Sequence, residues 1–288
     1  MNYLKPFLTL IKFKVSFAVM FTAITGYIVY TGNVDIHILQ LAVGVFILAG
    51  GSGALNQYQE RKYDAKMKRT MFRPIPSGAI SPVNALIISL VLILGGAFLL
   101  LSAFGEVTAL LGLLNVFWYN LLYTNLKKVT PFAVVPGSLV GAIPVFIGWT
   151  AAGGSVFELT IVFIAFFIFI WQVPHFWLLM LKYGKEYEHA GFPTINQVVH
   201  PQNLKTIIFA WILATSLSSM MIPFFMKNGS WFFFITIFVL NLLFVSIFTR
   251  LSFGKIAELS FRKSFISINV YMFVFMIMLI IYHLFPFA

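Results

Sequence analysis

Long apolar runs dominate this chain, and polar residues arrive in short bursts between them. A helix needs about 20 apolar residues to cross the hydrocarbon of a bilayer. Runs of that length predict nine spanning helices, at 13–31, 38–55, 82–104, 107–123, 131–151, 157–181, 205–226, 231–249 and 264–284. Most breaks between them are tight turns such as Thr31-Gly32-Asn33 and Gly153-Gly154-Ser155, and the long ones are 56–81, 182–204 and 250–263. The expected fold is therefore all-α, a polytopic membrane protein with one domain over residues 1–288. The first run follows lysines, as in a signal peptide, but continues to spanning length without a small-residue cleavage site, so it reads as the first span. It also lacks the Arg- and Ser-rich character of a transit peptide, which points to a bacterial plasma membrane.

Composition agrees with that pattern. Hydrophobic residues make up 60% of the chain and charged residues 9%, against about a quarter charged in soluble domains. The absence of cysteine removes disulfides, thiolate metal sites and iron–sulfur clusters from consideration. Lys and Arg accumulate on the cytoplasmic side of membrane proteins. With the amino terminus inside, all of the 19 cations except Lys227 fall on that side. The net charge of +11 then reflects topology and contact with anionic lipid, not nucleic acid.

Acids are scarce, and topology gives them little reason to be cytoplasmic. Of the eight in the chain, Glu60, Asp64, Glu186 and Glu188 fall in the breaks after the second and sixth spans. Those two breaks are both long, cytoplasmic and acidic, a spacing suggestive of two similar halves meeting at one site. Asn56, Glu60 and Asp64 stand four residues apart, so they share one face if the second helix continues past Leu55. Oxygen-only ligands suit Mg²⁺, which usually binds through one or two carboxylates together with substrate phosphates. Arg69 and Arg73 repeat the four-residue step and offer forked contacts to phosphate oxygens. Against this stands the plainer reading of a solvated loop whose opposite charges pair and whose cations set topology.

Ordered motifs carry a family resemblance. N-x-x-x-E-x-x-x-D followed by R-T-x-x-R-P-x-P-S-G, from Asn56 to Gly78, resembles the first acidic signature of the UbiA-type intramembrane prenyltransferases. Y-T-x-L-K-K-x-T-P from Tyr123, G-A-I-P-V-F-I-G-W from Gly141, P-H-F-W from Pro174 and K-Y-x-x-E-Y-x-x-A-G-F-P from Lys182 are similar to the haem-farnesylating branch, the protohaem IX farnesyltransferases. The resemblance implies nine helices around a central cavity, with Mg²⁺ and the isoprenoid diphosphate held between the two acidic loops. By position, Asn56, Glu60, Asp64 and Glu186 are expected to be catalytic and to hold the metal. Arg69, Arg73, Tyr123, Lys127, Lys128 and Lys182 are expected at the diphosphate. Lys185 stands where an acid of the second motif is expected, with Glu188 available to compensate, and Lys128 replaces an Arg.

The reaction so implied joins a farnesyl group from farnesyl diphosphate to a vinyl of haem B, adds water and gives haem O. Breaking the allylic C–O bond builds negative charge on departing oxygens, which a metal and fixed cations stabilise without a nucleophile. Two roles are open to His175: haem ligation or orientation, or a hydrogen bond to a carbonyl freed by Pro174. The expected partners are farnesyl diphosphate, haem B and lipid, with haem A synthase or a terminal oxidase as assembly partners. Rival readings are a prenyltransferase acting on a quinone or chlorophyll precursor, and a transporter. Transporters place ionisable groups near the bilayer midplane, whereas the mid-span positions here are nearly uncharged.

Overall fold

In a computed structural model, residues 4–226, 231–253 and 261–285 are described. Lys227 and Lys255 lie outside them. Among the described residues, nine helices are long and apolar enough to cross a membrane. A short α1 (Leu4–Leu10) leads into α2 (Phe13–Thr31), α3 (His37–Asp64) and α4 (Pro82–Phe104). They are followed by α5 (Glu106–Leu126), α6 (Pro131–Ala151) and α7 (Leu159–Ala190). A single turn, α8 (Ile195–Val198), precedes α9 (Pro201–Met221), α10 (Trp231–Phe253) and α11 (Phe261–Leu284).

The apolar runs locate the spans, and capping chemistry trims them. Ser81 accepts a hydrogen bond from the Asn84 amide with Pro82 in the first turn, a favourable start for α4. Gly105, at φ 83°, divides α4 from α5. Two helices outrun their hydrophobic segments. The helix α3 continues nine residues past Leu55 to Asp64, and α7 continues past Leu181 to Ala190, where Gly191 closes it in the left-handed region. Residues 182–190, expected in a loop, are thus helical: the stretch is rich in helix formers, while its polarity ends the apolar period.

One hydrophobic cluster joins α6, α7, α9, α10 and α11, and a second joins α2 to α6. The α6 helix belongs to both, with Val145 and Trp149 in one and Ile143 and Ile147 in the other. It packs against α2 with almost no side chain between the backbones. A Cβ on Gly148 would lie 1.7 Å from the Ala23 carbonyl oxygen, and one on Gly26 would lie 2.1 Å from that of Val145. Such close approach is what small residues provide in membrane bundles, where packing replaces the hydrophobic driving force.

Candidate active site

The extension of α3 carries Asn56, Glu60 and Asp64 on one stripe, all buried. Each finds a partner from another segment. Asn56 Nδ2 donates to Glu60 Oε1 at 2.8 Å and to Thr124 Oγ1 at 2.9 Å. Glu60 pairs with Lys127, and both oxygens of Asp64 accept from Arg73 Nη1 at 2.8 and 2.7 Å. Buried carboxylates require such partners, since an unpaired ion in a dry interior costs several kcal/mol. The guanidinium of Arg73 returns to Asp64 because the intervening residues fold into turns, one held by Thr70 Oγ1 donating to the Asp64 carbonyl at 2.9 Å.

Lys12 also enters the site. Among the described residues it is the one non-glycine with positive φ (49°), a conformation that L side chains rarely adopt. The break it makes between α1 and α2 is pinned by Gln57, whose Nε2 donates to the carbonyls of Thr9 and Leu10 at 2.7 and 3.0 Å. Lys12 Nζ consequently donates to Asn56 Oδ1 at 2.6 Å and to Tyr119 OH at 2.8 Å. Burial, reinforced by Arg73, pushes the Lys12 ammonium down to about 7. Burial is the largest single influence on Lys127 and disfavours its charge, yet Glu60 together with Tyr123, Tyr119 and Tyr187 outweighs it and holds the ammonium above its ordinary range. Sequence reasoning assigned Lys12 to topology alone, and no local pattern distinguishes it from the neighbouring Lys5 and Lys14.

On the opposite wall, α5 contains a π-helical turn at Trp118–Tyr123, a feature often found at functional sites. Asn120 ties this turn to α3, accepting from Ser52 Oγ at 2.6 Å and donating to the Ser52 carbonyl at 3.0 Å. The rings of Tyr119, Tyr123 and Phe176 follow one another at centroid spacings of 6.0 and 6.1 Å. Together these walls line a cavity of about 410 Å³. Lys12, Asn56, Glu60, Asp64, Arg69, Arg73, Tyr123 and Lys127 line its charged end, and Val19, Val45, Leu48, Val116 and Ile147 line the rest.

The second acidic segment meets the first at its rim. Glu186 Oε2 accepts from the Arg69 amide at 3.3 Å, and Arg69 Nη2 donates to Tyr187 OH at 2.8 Å. Glu186, Lys128 and Lys182 are not among the residues lining the large cavity. Lys182 Nζ lies 4.9 Å from the Phe261 ring centroid, and Lys128 Nζ donates to Asn125 Oδ1 at 3.1 Å. Glu188 accepts from Thr194 Oγ1, closing the turn after α7. His175 packs 4.9 Å from both Trp171 and Phe265, and its Nδ1 is buried without a partner, so that nitrogen does not bond a carbonyl freed by Pro174.

The donors on the α3 stripe are oxygens, the ligand type that hard divalent cations prefer. No group of three His, Cys, Asp or Glu that could hold a metal gathers among the described residues. A pair of carboxylates with an amide oxygen nevertheless suits Mg²⁺, which takes few protein ligands when phosphate supplies the others.

Comparison with known proteins follows the same line. The sequence profile of the UbiA prenyltransferase family matches residues 18–269, and the chain belongs to that family. It is 39% identical over 180 residues to a protoheme IX farnesyltransferase of Geobacter sulfurreducens, covering 62% of this chain and 66% of that relative, just under two thirds of its length. A protoheme IX farnesyltransferase of Neorickettsia sennetsu is 35% identical over 84% of this chain and 81% of its own. Among solved structures, a UbiA homolog from Archaeoglobus fulgidus bound to GPP and Mg²⁺ superposes with a TM-score of 0.70 at 14% identity, over 96% of this chain and 99% of that one. The helical bundle is thus the UbiA fold.

Proposed function

We propose that this protein transfers the farnesyl group of farnesyl diphosphate to a vinyl group of haem B, with addition of water, giving haem O and diphosphate in a bacterial plasma membrane. The observation that carries the reading is the gathering of Glu60, Asp64, Lys12, Lys127 and Arg73 in a cavity whose remaining lining is mostly apolar. The relatives named as protoheme IX farnesyltransferases supply the substrate class.

In this reading Asn56, Glu60 and Asp64, with Glu186 approaching from the second segment at the rim, would hold Mg²⁺, which when bound would supply Lewis-acid stabilisation of the departing diphosphate. Arg69, Arg73, Tyr123 and Lys127 contact the diphosphate, with Lys128 and Lys182 at the approach. Lys127 and Arg73 already lie within the cavity, so they stabilise charge on the leaving oxygens with little reorganisation. The apolar wall keeps bulk water from the allylic cation until the vinyl carbon reaches it. His175, beside Phe176, belongs to the haem side. Haem A synthase or a terminal oxidase is the expected recipient of the product.

Membranes containing the protein, supplied with Mg²⁺, haem B and farnesyl diphosphate, test the reading by the mass of the extracted haem. A gain of farnesyl plus water, dependent on Mg²⁺, supports it; unchanged haem, with diphosphate released and the farnesyl group found on another acceptor, replaces it with a different prenyl transfer.

A further inference from the structure

The proposed reaction makes two opposite demands on water. Water must be kept from the allylic cation, which it would convert to an alcohol, yet one molecule must be delivered to the haem carbon that becomes cationic once the new C–C bond has formed. An apolar cavity meets the first demand. The second calls for a polar foothold away from the charged mouth.

Two carboxamides interrupt the apolar wall, Asn115 on α5 and Gln172 on α7. Asn115 Oδ1 and Gln172 Oε1 are buried and have no hydrogen-bond partner among the described residues. The serines of the same cavity are engaged, Ser16 Oγ with the Ile11 carbonyl and Ser52 Oγ with Asn120 Oδ1. An unpaired buried carbonyl costs about 1–3 kcal/mol, and its usual partner is a water held by two to four polar groups.

Asn115 and Gln172 line the same cavity as Val140 and Gly141 of α6. Thr108 and Thr150 meet at 3.1 Å, and Trp118 Nε1 donates to the Pro136 carbonyl at 2.7 Å, so α5 and α6 run antiparallel in a register that sets Asn115 opposite Val140 and Gly141. The Gln172 carboxamide lies against Gly141, where a Cβ would fall 1.8 Å from its Oε1. Asn115 precedes Tyr119 by four residues on α5, and Gln172 precedes Phe176 by four on α7. The pair therefore stands about one helical turn, roughly 5.4 Å, beyond the layer of aromatic rings. Charged mouth, aromatic layer and carboxamides succeed one another along the cavity.

Resting on the farnesyl-transfer reading, we propose that Asn115 and Gln172 are positioning residues that hold the water added to haem. The C1–O bond of farnesyl diphosphate breaks with its electron pair going to diphosphate. The vinyl π pair forms the bond to C1, leaving a cation on the carbon attached to the macrocycle. The held water, its hydrogens donated to the carboxamide oxygens, directs a lone pair to that carbon and forms the C–O bond, and its proton passes to the diphosphate. Where no water is held, the cation loses a proton from the neighbouring CH₂ and gives an alkenyl haem lighter by one water.

The ratio of hydrated to dehydrated farnesyl haem, read by mass, tests this independently of total rate. In Gln172→Met and Asn115→Leu, which keep side-chain size and remove the acceptor, the ratio falls at least about tenfold. It stays near wild type in Gln172→Glu, which retains an acceptor oxygen. Gly141→Ala keeps both carboxamides but displaces that of Gln172, and it lowers the ratio as well. An unchanged ratio in Gln172→Met and Asn115→Leu overturns the assignment. So does loss of both products in all three substitutions that remove or displace a carboxamide, because the held water acts only after the C–C bond exists. Absence of any farnesylated haem from the wild-type protein is a separate outcome that overturns the reaction reading instead.

Discussion

Asp64→Asn tests the acidic stripe with almost no change in shape. Asp64 is fully buried, and both its oxygens accept from Arg73. The substitution removes one carboxylate from a site where Lys12, Lys127 and Arg73 face Glu60 and Asp64, so three cations are left facing one acid. Removing one partner of a buried ion pair costs about 3–5 kcal/mol when the other charge stays dry. The Arg73 side chain is 22% exposed and can hydrate, which places the loss of stability nearer about 2–3 kcal/mol. Catalysis suffers more. A preorganised group that stabilises leaving-group charge is worth about 10²–10³ in rate, and Asp64 acts both as an expected metal ligand and as the anchor of Arg73. Turnover is therefore expected to fall about a thousandfold, or about 4 kcal/mol of barrier. The assay is farnesyl haem formed per unit of detergent-extracted protein, with the protein quantified separately. Retention of more than about a tenth of wild-type turnover, or a loss that merely tracks protein level, refutes the role given to this stripe.

Further outcomes follow from the same geometry. Chelation by EDTA abolishes transfer and added Mg²⁺ restores it, while the helical circular-dichroism signal stays constant; full activity in EDTA removes the metal from the reading. Lys12→Met deprives Asn56 Oδ1 and Tyr119 OH of their donor and lowers kcat/KM for farnesyl diphosphate about tenfold at normal protein level, since a hydrogen bond to a charged group is worth about 1.5–3 kcal/mol. Gly148→Ala sets a methyl against backbone on α2 and destabilises the bundle by about 1–3 kcal/mol, seen as earlier thermal inactivation in detergent. An unchanged inactivation curve contradicts the tight α2–α6 contact.

Most of the architecture was legible because a bilayer demands long apolar helices, and length alone separates them from other elements. The α3 stripe was legible as well, because Asn56, Glu60 and Asp64 repeat at a helical step in a chain with few acids. The carboxylate end of α7 was hidden, since 182–190 is helical but no longer apolar, and hydropathy sees only the second property. Lys12 was illegible for a different reason. Its function depends on a left-handed backbone that aims it at Asn56, and nothing in the surrounding residues announces that turn. Asn115 and Gln172 are lone amides within hydrophobic runs, and only the convergence of α5, α6 and α7 gives them a common neighbour. Sequence patterns of period 3.6 or 20 thus survive translation into structure, while contacts between distant helices leave no local trace.

The pairing of Glu60 with Lys127 and of Asp64 with Arg73 has a consequence for how ligands enter. At rest each acid is already quenched by an internal cation, so a lone divalent ion arriving from solution meets competition and gains little. A diphosphate carrying its own metal offers each member of those couples a new mate at once: anionic oxygens for the ammonium and guanidinium, a cation for the carboxylates. Entry becomes an exchange of spouses in which no charge is left single in the dry interior, and ligands lacking either half of that dowry are turned away.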